Sequence, residues 1–130
     1  MSVEENVRLL RRAHEAFIAG DLEAAIPMFV DDAVWHVPGH GALSGVKRGR
    51  DEVLGYCGEL LGRSADTIKL DLRDVVGGLE HSVSLLHQHA ERVGRMLDQN
   101  LVLVVRIRDG QFTEVWEFQE DPAGYDAFWA

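Results

Sequence analysis

The chain has 130 residues, of which 46% are hydrophobic and 27% are charged. These fractions are near the globular average, so we expect residues 1–130 to form one folded domain rather than a disordered segment. The 22 acidic residues outnumber the 13 basic ones and give a net charge of −9, which disfavours nucleic acid or an anionic membrane as a partner. The sequence has no apolar run of membrane-spanning length and starts without a signal-peptide pattern, so we expect a cytoplasmic location.

The N-terminal half is predicted to be mainly helical. Apolar residues recur with a helical period from Val3 to Ile18, and Ser2 followed by Glu5 is typical of a capped helix start. A short second helix is expected to end or kink at Pro27, because proline cannot donate to the helical ladder. The predicted elements after the first helix are a helix over 22–29, a strand over 33–37, a glycine-rich loop over 40–49 and a helix from about Arg50.

The C-terminal half is predicted to be a meander of strands. Apolar and polar residues alternate after Asp66, and Asp109-Gly110 is a strong hairpin motif. The predicted strands cover 68–73, 81–92, 96–108 and 111–119, and a short helix follows from Pro122. Helices followed by antiparallel strands indicate an α+β fold. Because long antiparallel strands twist and curl, we expect a curved antiparallel sheet wrapped around the N-terminal helices, forming a cone with an internal pocket.

Four segments, in this order, resemble the SnoaL-like polyketide cyclases and ketosteroid isomerases of the nuclear transport factor two-like superfamily. They are Ala19–Leu22, Phe29–Trp35, Gly45–Val53 and Arg108–Glu117. The resemblance implies the cone fold and a pocket for a small molecule. It does not identify a reaction, because the fold carries isomerases, cyclases, hydrolases, dehydratases and proteins without catalytic activity.

The resemblance also suggests where catalytic residues should lie. The base of the isomerases would fall at Val37, and their oxyanion acid would fall near Val104, so neither acid is present. Their oxyanion tyrosine would fall at Ala13 or at its neighbour His14. The base of the cyclases is an acid that directly follows an aromatic residue in the last strand, and Glu117 after Trp116 has this arrangement.

Glu117 is the principal candidate for a catalytic group. Strand alternation places it on the same face as Val115 and Thr113. If that face lines the pocket, burial would raise the pKa of the carboxyl group and allow it to act as a general base. The alternative interpretation is a solvated acid on the outer face of the sheet.

His87 and His89 are the second candidates, because a histidine can donate or return a proton near neutral pH. Alternation places both on one strand face, which could instead pack against a partner subunit. A metal site would need a third ligand at a defined spacing, and the sequence shows none. We therefore expect neither a metal nor another cofactor.

Four further residues are predicted to bind the substrate. Trp35 and Val37 share strand parity, and both are expected to face the pocket together with Phe17 and Tyr56 from the helices. His14 lies beside Phe17 on the apolar stripe of the first helix, and its expected role is that of a hydrogen-bonded core histidine.

The function predicted from these residues is that of a cofactor-free enzyme of the cyclase or isomerase type. Glu117 would act as the base, His87 or His89 would stabilise the enolate or return the proton, and the substrate would be a small apolar carbonyl compound. A homodimer is expected, because the strand from Asn100 to Arg108 is apolar on both faces and one helix layer covers only one of them. The alternative is a non-catalytic protein that binds an apolar ligand or serves in dimerisation.

Overall fold

In the computed structural model, which describes residues 2–130, four α-helices pack against one six-stranded sheet. The helices are α1 (Val3–Ile18), α2 (Leu22–Ala25), α3 (Arg50–Arg63) and α4 (Pro122–Trp129), and a 3₁₀ turn (Ile26–Met28) follows α2. The strands are β1 (Phe29–Val37), β2 (Gly45–Arg48), β3 (Lys69–Val76), β4 (His81–Arg92), β5 (Arg95–Arg108) and β6 (Gln111–Gln119). The predicted α+β class is confirmed.

The sheet has the strand order β2-β1-β6-β5-β4-β3, so the first strand lies beside the last. The pair β1 and β6 is parallel and the other pairs are antiparallel, which makes the sheet mixed rather than wholly antiparallel as predicted. β1 begins at Phe29, earlier than predicted, and β2 (Gly45–Arg48) lies inside the predicted loop. The glycines of this segment disfavour strand formation locally, and pairing with β1 supplies the missing stabilisation.

The β5–β6 hairpin sets which side chains of β6 point into the fold. Its turn residues Asp109 and Gly110 have φ values of 50° and 76°, as expected of a two-residue hairpin turn. The register between the two strands shifts between Arg106 and Ile107. Because of this irregularity Phe112, rather than the predicted Thr113, takes the inward position before Val115.

The helices fill the concave side of the curved sheet in two core clusters. One cluster packs Leu9 and Leu10 of α1 against Val105 of β5. The other joins Tyr56 of α3 to Trp129 of α4. Between them the sheet and helices enclose the internal space of a cone.

The start of α1 is fixed to the turn between β3 and β4. The buried Asn6 amide donates to the backbone carbonyls of Gly78 and Leu79 at 3.0 and 3.2 Å. A side chain at Gly77 would meet Val3 and Val7 at less than 3 Å, so the helix can lie this close only above a glycine. These contacts hold α1 over the β3 side of the sheet.

Candidate functional site

A cavity of about 120 Å³ lies between the concave face of the sheet and the helices. α1 and α3 contribute one wall, and the inward residues of β3 to β6 contribute the other. Most lining side chains are aliphatic or aromatic, for example Leu10, Leu54, Leu72, Leu86 and Leu103. Such a lining favours an apolar ligand, and the few polar groups in it determine what chemistry is possible.

Glu117 is the acidic residue of this lining. It lies near the C-terminal end of β6, opposite Leu103 of β5, and only 5% of the residue is exposed. Alternation along β6 turns Val115 and Glu117 inward, while Trp116 and Phe118 point to the outer face. The structure therefore places this carboxylate in the apolar cavity rather than in solvent.

Three side chains donate hydrogen bonds to the Glu117 carboxylate. Trp35 Nε1 and Tyr56 OH both donate to Oε1, at 3.1 and 2.9 Å. Gln119 Nε2 donates to Oε2 at 2.7 Å. A carboxylate offers about four acceptor positions, two on each oxygen. One position on Oε2 is thus left for a group of the ligand.

Two further side chains extend this network. The hydroxyl groups of Tyr56 and Tyr125 lie 2.5 Å apart, and since Tyr56 donates to Glu117, Tyr125 must be the donor in that pair. Gln88 Nε2 donates to Gln119 Oε1. This bond orients the Gln119 amide so that its nitrogen, not its oxygen, faces the carboxylate.

Burial is the main influence on the titration of these groups. It raises the pKa of Glu117, and the hydrogen bonds from Gln119, Tyr56 and Trp35 oppose that shift without cancelling it. Burial and the nearby carboxylate raise the pKa values of Tyr56 and Tyr125 well above the ordinary value, so both hydroxyls stay protonated. Burial also raises the pKa of Cys57 to about 12, which leaves an unreactive thiol in the lining.

The predicted substrate-binding residues divide into two groups. Trp35, Phe17 and Tyr56 line the cavity, and two of them also hold Glu117. Val37 is not in the lining and instead packs in the core cluster that contains Trp129. The expectation that Val37 contacts the ligand is corrected by this placement, because Val37 packs in a buried cluster with side chains of α4.

His87 and His89 lie outside the cavity, on the outer face of β4. His87 Nε2 lies 2.7 Å from Asp98 Oδ1, and His89 Nδ1 lies 3.0 Å from Asp98 Oδ2. His87 Nδ1 also lies 2.8 Å from Asn100 Oδ1. The expectation that one of these histidines acts on the ligand is corrected by the structure, since the residues of β4 that line the cavity are Ser84, Leu86 and Gln88.

Sequence reasoning missed Gln88, Gln119 and Tyr125. Gln119 follows Glu117 by two positions, so the parity that placed Glu117 inward could have identified it. Gln88 lies between His87 and His89, but unlike them it has the strand parity of the buried Leu86 and Ala90. Nothing local identifies Tyr125, because its contact with Tyr56 depends on how α4 docks against α3.

Residues 2–130 contain neither a cluster of metal ligands nor a membrane-spanning helix. No three His, Cys, Asp or Glu side chains in this part of the chain are grouped as metal ligands would be. No helix in the same range has the length and apolarity needed to cross a membrane.

Comparison with known proteins places this geometry in a family. An uncharacterized protein of Mycobacterium tuberculosis, Rv0034, is 34% identical over 131 residues and aligns over 100% of both chains. Bal32a, from a soil-derived mobile gene cassette, has 28% identity and a TM-score of 0.95 over 98% of each chain. IdmH, a candidate polyketide cyclase from Streptomyces antibioticus, shares the fold with a TM-score of 0.74 and 24% identity over 88% of this chain and 91% of its own. Residues 10–115 match the SnoaL-like domain, and the protein therefore belongs to the SnoaL-like family.

Proposed function

We propose that the protein is an enzyme that removes a proton from carbon in a small apolar carbonyl compound, with Glu117 as the general base. The observation that carries this proposal is a carboxylate with a raised pKa in an apolar cavity, with one acceptor position not used by the protein. A base with a raised pKa holds a proton more readily near neutral pH, which favours transfer from a weak carbon acid.

The reaction begins when Glu117 Oε2 accepts the proton of a carbon next to the carbonyl group. The C–H bonding electrons move to form a carbon–carbon double bond, and the carbonyl electrons move to oxygen, which gives an enolate and a neutral Glu117. In a cyclase, the enolate carbon then attacks a second carbonyl carbon of the same molecule, and the oxygen of that carbonyl group takes the proton from Glu117. In an isomerase, a conjugated enolate takes the proton back from Glu117 at another carbon. Both routes return Glu117 to the carboxylate. Atoms and charge balance without a cofactor.

Gln88 is suited to bind the carbonyl oxygen. Its amide nitrogen carries two hydrogens, of which Gln119 accepts one. The side chain is buried and lines the cavity, so the second hydrogen is available to a ligand oxygen. A hydrogen bond to the developing enolate strengthens as negative charge grows on that oxygen, which is the usual basis of such stabilisation.

The volume of the cavity limits the size of the ligand. A volume of about 120 Å³ is close to that of an engineered apolar cavity of about 150 Å³ that binds benzene. A compound with one ring and short substituents therefore fits best. The structural likeness to IdmH supports a relation to polyketide cyclases at the level of the fold.

The outer face of the sheet supports the predicted homodimer. Two rows of paired residues cross β4, β5 and β6 there and form an apolar patch, made of Val83, Val104 and Trp116 in one row and Leu85, Val102 and Phe118 in the other. Phe118 is 56% exposed. A patch of this kind on a protein surface is typical of an interface, and a second copy of the same curved face would cover it.

Replacement of Glu117 by Gln tests the catalytic proposal. Deuterium incorporation next to the carbonyl group would be followed by NMR for a panel of small ketones, including benzylacetone. Glu117→Gln should slow exchange by about 100-fold or more, the usual contribution of a general base. The fold should persist, because Gln119 and Gln88 can turn their amide groups over to pair with the new amide.

Glu114→Gln is the matched control, because Glu114 lies on the outward-facing part of the same strand and pairs with His36. This variant should exchange deuterium at the wild-type rate. Equal exchange in the wild type and Glu117→Gln would contradict a role of Glu117 as the base.

One observation favours the non-catalytic alternative. Three of the acceptor positions of Glu117 are occupied by Trp35, Tyr56 and Gln119, so the carboxylate also joins β1, α3 and β6 into one unit. A protein that only binds an apolar ligand would use Glu117 for this structural purpose. Binding of the panel without any exchange, together with a large loss of thermal stability in Glu117→Gln, would support that function.

A further inference from the structure

His14 is a polar residue of the cavity that the proposed reaction does not use. It lies on α1 and lines the cavity beside Ala13 and Phe17. The groups that influence its titration include no hydrogen-bond partner among residues 2–130. The sequence-based interpretation of a hydrogen-bonded core histidine is therefore wrong, and the imidazole is free to bind something else.

His14 and Glu117 belong to elements that lie at different sides of the sheet. α1 packs on β3, and Asp71 of that strand is the charged residue with the largest influence on the pKa of His14. In the sheet order, β3 is separated from β6 by β4 and β5. Three strand spacings of about 4.8 Å amount to ~14 Å along the sheet.

The wall between these two polar groups is mainly apolar. It is formed by side chains that include Leu70, Leu72, Leu86 and Leu103. An apolar ligand that filled this space would place one end near Glu117 and the other near His14. A hydrogen-bonding group at the second end would find the His14 imidazole as a partner.

Burial, rather than the charged neighbours, favours the neutral form of His14. Burial lowers the pKa of the imidazole, and the Arg11 guanidinium acts in the same direction, while Asp71 and Glu15 oppose the shift less strongly. A neutral imidazole has one N–H donor and one acceptor nitrogen. It therefore suits a hydroxyl group, which can both donate and accept, better than a carboxylate.

We propose that His14 is a specificity-determining residue, and that the ligand is a compound with one ring whose carbonyl arm reaches Glu117 and whose ring hydroxyl binds His14. The orientation of the ligand rests on the proposed function of Glu117. Recognition of the hydroxyl rests only on the free imidazole in an apolar wall.

Two probes that differ by one hydroxyl group test this inference. Benzylacetone has an acidic C–H next to a carbonyl group, and its para-hydroxy derivative adds a hydroxyl at the far side of the ring. Dissociation constants would be measured by titration calorimetry. The wild type should bind the hydroxy compound about 3- to 10-fold more tightly, the range of one net hydrogen bond.

His14→Leu should remove this preference and change the affinity for benzylacetone by less than about twofold, since the apolar contacts persist. His14→Gln should restore part of the preference, because an amide also donates and accepts. His89→Leu is the matched control, because that histidine lies on the outer face, and it should keep the wild-type preference.

The outcomes for His14 and for Glu117 can be separated. Equal affinity of the wild type for both probes, no binding of either, or an unchanged preference in His14→Leu would each overturn the role of His14. An unchanged preference in the variant would mean that the hydroxyl binds elsewhere, for example to Glu117. A preference that disappears in His14→Leu while Glu117→Gln still exchanges deuterium at the wild-type rate would support His14 and contradict the proposed base.

Discussion

Glu117 and Asp98 lie on opposite faces of the sheet, and their pKa values are shifted in opposite directions. The exposed Asp98 pairs with His89 and His87, and these hydrogen bonds lower the pKa of its carboxyl group. Glu117 accepts three hydrogen bonds, yet burial raises its pKa. The comparison indicates that removal of water, rather than the number of donors, sets the direction in which the pKa of each of these two carboxyl groups is shifted.

Neighbouring residues of β4 show the same contrast. His87 points outward to Asp98 and stays partly solvated, whereas the adjacent Gln88 points inward and is almost fully buried. The histidine, which is the better acid–base group, lies on the solvent-exposed face, whereas the glutamine amide lines the cavity. A residue's place relative to the cavity, more than its intrinsic chemistry, makes it part of the site.

The largest effect is expected from a charge at the centre of the outer apolar face. Val104→Lys places an ammonium group in the patch between Val83 and Trp116. If this face is the interface of a homodimer, burial of an unpaired charge should weaken dimerisation by roughly 100-fold or more. Light scattering at micromolar concentration should then change from the dimer mass to the monomer mass.

Val93→Lys is the matched control for this change. Val93 is fully exposed between β4 and β5, so a lysine there should leave the dimer intact. A wild-type protein that is already monomeric, or a Val104→Lys variant that remains dimeric, would show that the outer face is not the interface.

An intermediate effect is expected from two adjacent residues on opposite faces. Gln88→Leu removes the hydrogen bond that orients Gln119 and the donor proposed for the enolate oxygen, so exchange of ketone protons should slow by about 10-fold or more. His87→Leu should leave the rate within about twofold, because His87 contacts only outer-face groups. If both variants lost the same exchange activity at unchanged thermal stability, the claim that only the inward face of β4 contributes to the reaction would be contradicted.

The smallest effect is expected in the dependence of stability on pH. The folded state holds the Glu117 proton more tightly than the unfolded chain, because its pKa is raised above the ordinary value of 4.5. The resulting stability is complete below that value and is lost as the pH rises through the folded pKa. The melting temperature of the wild type should therefore fall relative to that of Glu117→Gln as the pH rises above the ordinary value of 4.5.

For Asp98→Asn, the expected change of stability with pH has the opposite sign. The pKa of Asp98 is lowered in the folded state, so its contribution is present above the unfolded pKa and is lost as the pH falls through the folded one. The wild type should lose stability relative to Asp98→Asn on acidification, by a small amount because the group is exposed. A Glu117 comparison with the same sign as that of Asp98 would contradict the raised pKa of Glu117.

The local patterns of the sequence were sufficient to predict most elements. The bounds of β4 (His81–Arg92) and β6 (Gln111–Gln119) agree with the prediction, because alternation of apolar residues and the Asp109-Gly110 turn act between near neighbours. β2 (Gly45–Arg48) was missed because its stabilisation comes from pairing with β1. The parallel contact of β1 with β6 likewise joins the two ends of the chain.

Alternation along β4, and along β6 from Val115 onward, determined which residues share a face, so the sequence alone separates His87 and His89 from Gln88, and Glu117 from Trp116. It failed at Thr113, because the register shift near Ile107 turns Phe112 inward instead. It could not determine which of the two faces is concave. That choice depends on where α1 and α3 dock, and their docking removes water from one face and leaves the other wet. Tyr125 reaches the network around Glu117 only because α4 packs against α3. The sequence therefore predicted which candidate residues share a strand face. Tertiary packing decided which of those faces loses its water, and with it the pKa and the chemistry of the residues on it.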